Sequence, residues 1–163
     1  MSAPVVLRRL RWWDVPRLLD VERGAFGPDA WSEPGFWSEL AWWPESRYYV
    51  VAEEPEGELV GYAGLLSAAD EATVQTVVVD PDKRGRGVGR RLLDDLLAEA
   101  VRRGAGTVWL EVREDNAPAL ALYDAYGFER AGVRRGYYEG GRVDAVVMRR
   151  RPVSGRRRWQ AQA

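Results

Sequence analysis

Apolar positions recur along this chain in two rhythms, and the sharpest change between them falls at residues 76–100. Val77 to Val79 form an apolar run that reads as a buried strand, while Val88, Leu92, Leu93, Leu96, Leu97 and Ala100 recur at helical spacing and predict a helix with one face on a sheet. Between them lies a glycine-rich turn containing Gly85, Gly87 and Gly89. Upstream, Pro4 to Arg9 alternates and predicts a first strand. Asp14 and Pro16 suit a helix start, continued by Val15, Leu18, Leu19, Val21, Glu22 and Phe26 up to Gly27-Pro28. Ser32 is a candidate N-cap, with Pro34 in the first turn, for a short helix carrying Phe36, Trp37 and Leu40.

Arg47 to Glu53 and Glu58 to Leu66 read as strands joined by a hairpin turn at Pro55-Glu56-Gly57, and Glu71 to Val79 reads as a third antiparallel member. Thr107 to Arg113 is a further apolar strand. Asn116 and Pro118 then start a helix carrying Leu120, Leu122, Tyr123 and Tyr126, and Gly127 ends it. Phe128 to Val133 and Val143 to Arg149 close the chain as a hairpin, and no internal repeat is present. The order predicts an α/β fold: a mixed, mostly antiparallel sheet of about six to seven strands flanked by about four helices, parallel only around the central helix.

Composition narrows the chemistry. At 163 residues and 46 % hydrophobic, the chain suits one domain with a real core. It has no cysteine, so a disulfide framework, a thiolate nucleophile and a cysteine metal site are all excluded. It also has no histidine, which leaves carboxylates, tyrosines and water to move protons. The N-terminal stretch lacks the long apolar core of a signal peptide, and no run reaches the roughly 18 apolar residues of a membrane span. The expected location is therefore cytoplasmic, with no membrane partner.

The net charge of −1 conceals an asymmetry. Residues 149–163 hold six arginines and no acid, leaving 18 basic against 25 acidic residues in the first 148, a net charge of −7. Two units are expected: a domain over 1–148, and a basic, disordered tail over 149–163 suited to weak RNA contact.

Glycines between a strand and a helix suit phosphate recognition, because a backbone without Cβ can approach a ligand at the positive end of the helix. Arg84, Arg86, Arg90 and Arg91 add cationic charge there. A P-loop is excluded, since arginines and not Lys-Ser or Lys-Thr follow the glycines. A dinucleotide fingerprint fails by one position, with Arg90 where its third glycine would fall. A nicotinamide-type oxidoreductase keeps some support from Glu111, 26 residues after Gly85, but the antiparallel strands upstream oppose it.

The surviving pattern, Arg84-x-x-Gly87-x-Gly89 after Val79-Asp80-Pro81, resembles the acyl-CoA loop of the GCN5-related N-acetyltransferases (GNAT). The resemblance implies a GNAT-like fold and acetyl-CoA as co-substrate, without a metal. It implies cofactor contacts from Val77, Val79, Arg84, Gly85, Arg86, Gly87, Val88, Gly89 and Arg90.

Two residues stand out as chemistry. Glu111 is a carboxylate inside an apolar strand, costly unless paired with an arginine or functional. Tyr123 fits either a core tyrosine or a working hydroxyl. Trp31, Trp37, Trp42 and Trp43 suit a core, a lid or the wall of a peptide site.

Residues 70–148 further resemble the ribosomal-protein-alanine branch of the same family, through Asp70-Glu71-Ala72, Leu110-Glu111-Val112-Arg113, Asn116, Leu122-Tyr123, Gly127-Phe128, Arg134-Arg135-x-Tyr137-Tyr138 and Asp144-Ala145-x-x-Met148, with Trp31-Ser32-Glu33 upstream. By that resemblance Glu111 is the general base, Tyr123 the general acid and Asn116 a cofactor contact. Trp31, Tyr137 and Tyr138 would hold the acceptor. The expected activity is acetyl-CoA-dependent Nα-acetylation of a protein N-terminus, that of a ribosomal protein with N-terminal alanine, by direct transfer in a ternary complex. The alternatives are acetylation of a lysine side chain or small-molecule amine, and a non-catalytic acyl-CoA-binding module.

Overall fold

The structure, a computed structural model, describes residues 4–41 and 45–151. Its apolar runs pair into one seven-stranded sheet. β1 (Val6–Arg9), β2 (Arg47–Glu53), β3 (Leu59–Ala68) and β4 (Glu71–Val79) are successive antiparallel neighbours. β4 then runs parallel to β5 (Thr107–Arg113), and β7 (Val143–Arg150) lies antiparallel between β5 and the outermost strand, β6 (Glu129–Tyr138). The expected mixed, mostly antiparallel sheet is thus observed.

Helices cover both faces, because central strands alternate between two apolar clusters. Tyr48 and Val50 of β2 join the cluster built on α3 (Val88–Arg102) and α4 (Ala117–Ala125). Tyr49 and Val51 join the one built on α1 (Val15–Phe26) and α2 (Glu33–Leu40). Leu92, Leu93 and Leu96 of α3 are fully buried, which is the outcome their spacing predicts. Ser32 caps α2 by accepting from Gly35 N at 3.2 Å, and Asn116 caps α4 by accepting from Ala119 N at 3.2 Å. Asp14 behaves differently. Its buried carboxylate accepts from Arg11 N at 2.8 Å and from Arg8 Nη1 at 2.8 Å, tying the start of α1 to β1.

Two boundaries shift. β6 extends to Tyr138, well past the expected end at Val133, with Gly136 N donating to Asp144 Oδ1 at 2.8 Å across a register irregularity. β7 runs through Arg150, one residue past the expected strand end at Arg149, and Arg149 and Arg150 pair with Trp109 and Val108 of β5. Trp42, Trp43 and the basic segment from Pro152 onward lie outside the described residues.

Candidate active site

β4 and β5 pair only from Glu71↔Thr107 to Val74↔Leu110. At the next residue β4 bulges: Gly64 of β3 faces Thr76 and Leu65 faces Val74, which leaves Gln75 outside the ladder. A bulge bends and twists its strand, so β4 and β5 part and the main chain of residues 75–79 has no β5 partner. Gln75 is held there from behind: the Tyr49 hydroxyl lies 2.9 Å from its Oε1 and 3.2 Å from Glu39 Oε2. Gly64 is required by this arrangement, since a Cβ on it would sit 2.3 Å from the Tyr49 ring.

The parted strands open a cleft of about 370 Å³. It gathers Val77, Glu111, Asn116, Tyr123, Trp31, Tyr137 and Tyr138, seven of the residues expected to carry chemistry. Glu111 is a quarter exposed, and Arg134 Nε lies 2.8 Å from its Oε1. Its partner is thus a strand arginine, from β6. The Tyr137 hydroxyl also engages this carboxylate, and burial together with the Glu111 charge raises its pKa. Tyr123 is 7 % exposed, its ring edge-on to Phe128 at 5.7 Å. Its hydroxyl makes no hydrogen bond to the other described residues, and burial, with Tyr138 nearby, pushes its pKa up to about 12. A phenol so placed is a proton donor at neutral pH. Asn116 spends its Oδ1 on the α4 cap, leaving its NH₂ for a ligand.

Arg113 ties together the residues around one part of the cleft wall. Its guanidinium lies 3.0 Å from Asp29 Oδ2, 2.9 Å from Glu139 Oε1 and 2.8 Å from Asp115 Oδ2, over the Tyr138 ring. Glu139 N donates to Asp29 Oδ1 at 3.2 Å, so the connection after α1 is tied to the turn between β6 and β7. Trp31 packs on Phe36 at 5.3 Å, and its N–H donates to Glu22 Oε1 at 3.1 Å.

Val79 and the loop residues Arg84 to Arg90 are not among the residues that line this cleft; they lie at the end of β4, in the turn after it and at the start of α3. Gly85 and Gly87 have φ of +81° and +77°, which favours glycine, and a Cβ on either would meet nothing within 4 Å. A Cβ on Gly89 would make only ordinary contact, 3.7 Å from Val79 Cγ2. No packing among the described residues therefore demands Gly89. The first hydrogen bond of α3 runs from Arg91 N to Gly87 O at 3.1 Å, so the N–H groups of Val88, Gly89 and Arg90 remain for a ligand. Val88 is 3 % exposed and offers only its main chain.

The arginines are partly committed. Arg84 Nε donates to Val79 O at 3.2 Å, Arg86 lies 3.5 Å from Glu54, and Arg91 donates to Val5 O. The loop thus fits a pyrophosphate through main-chain N–H groups more than through a ring of free cations. A larger groove of about 510 Å³, between α1, the β2–β3 turn and Asp80, is bordered by Asp20, Glu56, Glu58 and Asp80 and is wrong in charge for a phosphate-bearing donor. Among the described residues no helix is long and apolar enough to cross a membrane, and no cluster of carboxylates is arranged to hold a metal ion.

The model of the acetyltransferase (GNAT) family matches residues 10–128. The chain belongs to this family. It is therefore an acetyl-CoA-dependent N-acetyltransferase. It is 39 % identical over 137 residues to the ribosomal protein bS18-alanine N-acetyltransferase of Escherichia coli K12, covering 83 % of this chain and 89 % of that one. It is 45 % identical over 154 residues to the N-alpha-acetyltransferase RimI of Mycobacterium tuberculosis, covering 91 % and 94 %. An uncharacterized protein of Mycobacterium leprae is 43 % identical, and the chain spans 41 % of that longer relative. The crystal structure of the E. coli ribosomal-protein-S18-alanine N-acetyltransferase superimposes with a TM-score of 0.80 at 36 % identity, covering 90 % of this chain and 92 % of that one.

Sequence reasoning assigned no site role to Glu22, Asp29, Tyr62, Gln75, Thr76, Arg113 or Arg134. One signal was available: Glu22 stands in the apolar stripe of α1, where Val15, Leu18, Leu19 and Phe26 lead into the core.

Proposed function

We propose that this acetyltransferase acts on a protein N-terminus, specifically the N-terminal alanine of a small-subunit ribosomal protein, by direct transfer in a ternary complex. The observation that carries the reading is the company of Glu111 and Tyr123: they share one cleft with Trp31, Tyr137 and Tyr138, whose aromatic rings suit the wall of a peptide site. The likeness to relatives named for the bS18 alanine supports the choice of acceptor.

Acetyl-CoA supplies the thioester carbonyl and a thiolate that departs. Main-chain N–H groups of the loop and the start of α3 hold its pyrophosphate, and a main-chain N–H of residues 77–79 that faces away from β3 meets the carbonyl oxygen as charge develops. Glu111 accepts a proton from the acceptor, directly or through water. An α-ammonium has a reference pKa of about 7.7–8.0 against about 10.4 for lysine, so a carboxylate suffices for an N-terminus near neutral pH. Tyr123 delivers the proton taken by the leaving sulfur. Trp31, Tyr137 and Tyr138 wall the acceptor side. Ribosomal acceptors place the enzyme in the cytoplasm, and the arginine-rich segment from Pro152 supplies a weak RNA contact.

Acetyl-CoA turnover on short peptides beginning with alanine, serine or methionine, beside peptides with a blocked N-terminus and an internal lysine, tests the reading. Turnover led by free alanine N-termini is expected; turnover only on blocked lysine peptides would overturn it. Deleting residues 152–163 should weaken binding to ribosomal particles at low salt, and unchanged binding would end the RNA part.

A further inference from the structure

Glu22 is 1 % exposed, yet it lines the cleft. Its Oε1 accepts from Trp31 N at 3.1 Å and its Oε2 accepts from the Tyr62 hydroxyl, but no arginine or lysine among the described residues pairs with it. This sets it apart from the other two cleft carboxylates, since Glu111 is paired with Arg134 and Asp29 with Arg113. A buried carboxylate held only by neutral donors is costly, and a fold that needed just two hydrogen bonds there could use glutamine. Tyr62 is fully buried opposite Val78, and Thr76, two positions along β4 on the same face, hydrogen-bonds to it through its hydroxyl and lines the cleft beside the bulge. The three groups are ordered as a wire: Thr76 donates to Tyr62, Tyr62 donates to Glu22, and Thr76 opens on the cleft.

We propose that Glu22 is a second proton-accepting carboxylate of the acetyl transfer, reached from the acceptor amine through Thr76 and Tyr62. An N–H bond of the acceptor ammonium breaks and its proton passes to the Thr76 oxygen. The Thr76 proton moves to Tyr62, and the Tyr62 proton moves to Glu22. One N–H bond is lost and one carboxyl O–H bond is gained, leaving a neutral amine and a neutral acid. The proton returns to the cleft by the same route after turnover. Burial raises the Glu22 pKa and so brings its basicity closer to that of the amine it serves.

The ionisable groups facing this wire come from every neighbouring element. Tyr62 of β3 and Tyr49 of β2 feel the Glu22 charge, and Glu39 of α2, paired with Arg47 at 2.6 Å, lies behind Tyr49. Asp29, Glu111, Arg113, Tyr123, Tyr137 and Tyr138 line the same cleft. Arg47 and Arg113 are committed to Glu39 and to Asp29 with Glu139, so neither is the counter-ion of Glu22.

The inference rests on the peptide-acceptor reading, and its test separates the two. The pH dependence of kcat/KM is measured on an alanine-initiated peptide for the full chain, Glu22→Gln and Tyr62→Phe, with melting temperatures of all three. Each variant is expected to lose about ten-fold or more at pH 6.5, where an α-amine is mostly protonated, and to recover to near the parent rate by about pH 9.5, where it is mostly free. The KM for acetyl-CoA stays unchanged. A deficit equal at every pH, or no deficit at pH 6.5, would overturn the wire and leave Glu22 as an anchor for Trp31. Failure of the unaltered chain to use the peptide would count against the proposed acceptor instead.

Discussion

Arg134 of the outermost strand reaches past β7 to hold Glu111 of β5 at 2.8 Å. The pair fixes the direction of the cleft carboxylate more than it stabilises the fold, because Arg134 is 60 % exposed and a pair so placed contributes about 0–1 kcal/mol. Arg134→Gln should leave the melting temperature within about 2 °C while lowering kcat about ten-fold, by freeing the carboxylate to rotate. Glu111→Gln should cost about 100-fold or more. Wild-type turnover in Glu111→Gln would remove this carboxylate from the mechanism.

Tyr123→Phe deletes a hydroxyl that makes no hydrogen bond to the other described residues, so folding has little to lose. Turnover should fall about 100-fold with acetyl-CoA affinity unchanged, as measured by calorimetry beside steady-state kinetics. A large loss of affinity would recast Tyr123 as a wall of the cofactor site.

The loop glycines separate strain from ligand contact. Gly87→Ala forces a side chain into φ of +77° and should cost about 1–2 kcal/mol, visible in thermal unfolding. Gly89→Ala meets only an ordinary 3.7 Å contact and should melt no lower than the parent. Its KM for acetyl-CoA should nevertheless rise about ten-fold, equivalent to ~1.4 kcal/mol, if a pyrophosphate lies against this backbone. An unchanged KM would place the pyrophosphate elsewhere.

Asp14 links acid stability to the start of α1. Burial works to raise its pKa, but the hydrogen bonds and charge of Arg8, with Arg11 N, outweigh this and hold it below the ordinary aspartate value. A carboxyl with a lowered folded pKa contributes stability above its unfolded pKa of about 3.9 and loses it as pH falls through the folded value. Asp14→Asn should therefore melt about 6–12 °C lower at pH 7, from a loss of about 3 kcal/mol, with the gap closing below about pH 4. An equal gap at both pH values would mean that packing and not charge is lost.

Glu22 carries the opposite sign, since burial raises its folded pKa. Ionising it costs stability progressively as pH rises above the unfolded glutamate value of about 4.3. Glu22→Gln should thus melt at or above the parent temperature at pH 7, with the difference shrinking towards pH 4. Lower stability at neutral pH would show that the charged form is preferred by the fold.

The elements were legible because their causes are local. The α3 stripe, the Ser32 and Asn116 caps and the alternation of β2 each depend on residues a few positions apart, and these appear where the pattern placed them. The glycine loop was legible too, since positive φ at Gly85 and Gly87 follows from residue type. Glu111 and Tyr123 were legible as anomalies of type and position. Their company was not. Arg134 lies 23 residues beyond Glu111 in sequence, and nothing in that interval says that β7 inserts between β5 and β6 to bring them together.

By itself the sequence determined the helices, the strands, the glycine-rich turn and the protonic groups available to a chain without histidine or cysteine. Only the tertiary structure decided that β4 bulges at Gln75 and parts from β5, that Arg113 ties Asp29 to Glu139, and that Glu22 is buried without a counter-charge among the described residues. The division follows from range. Propensity, capping and periodicity act within a turn or two, whereas ion pairs, bulges and clefts depend on which strands become neighbours and in what register.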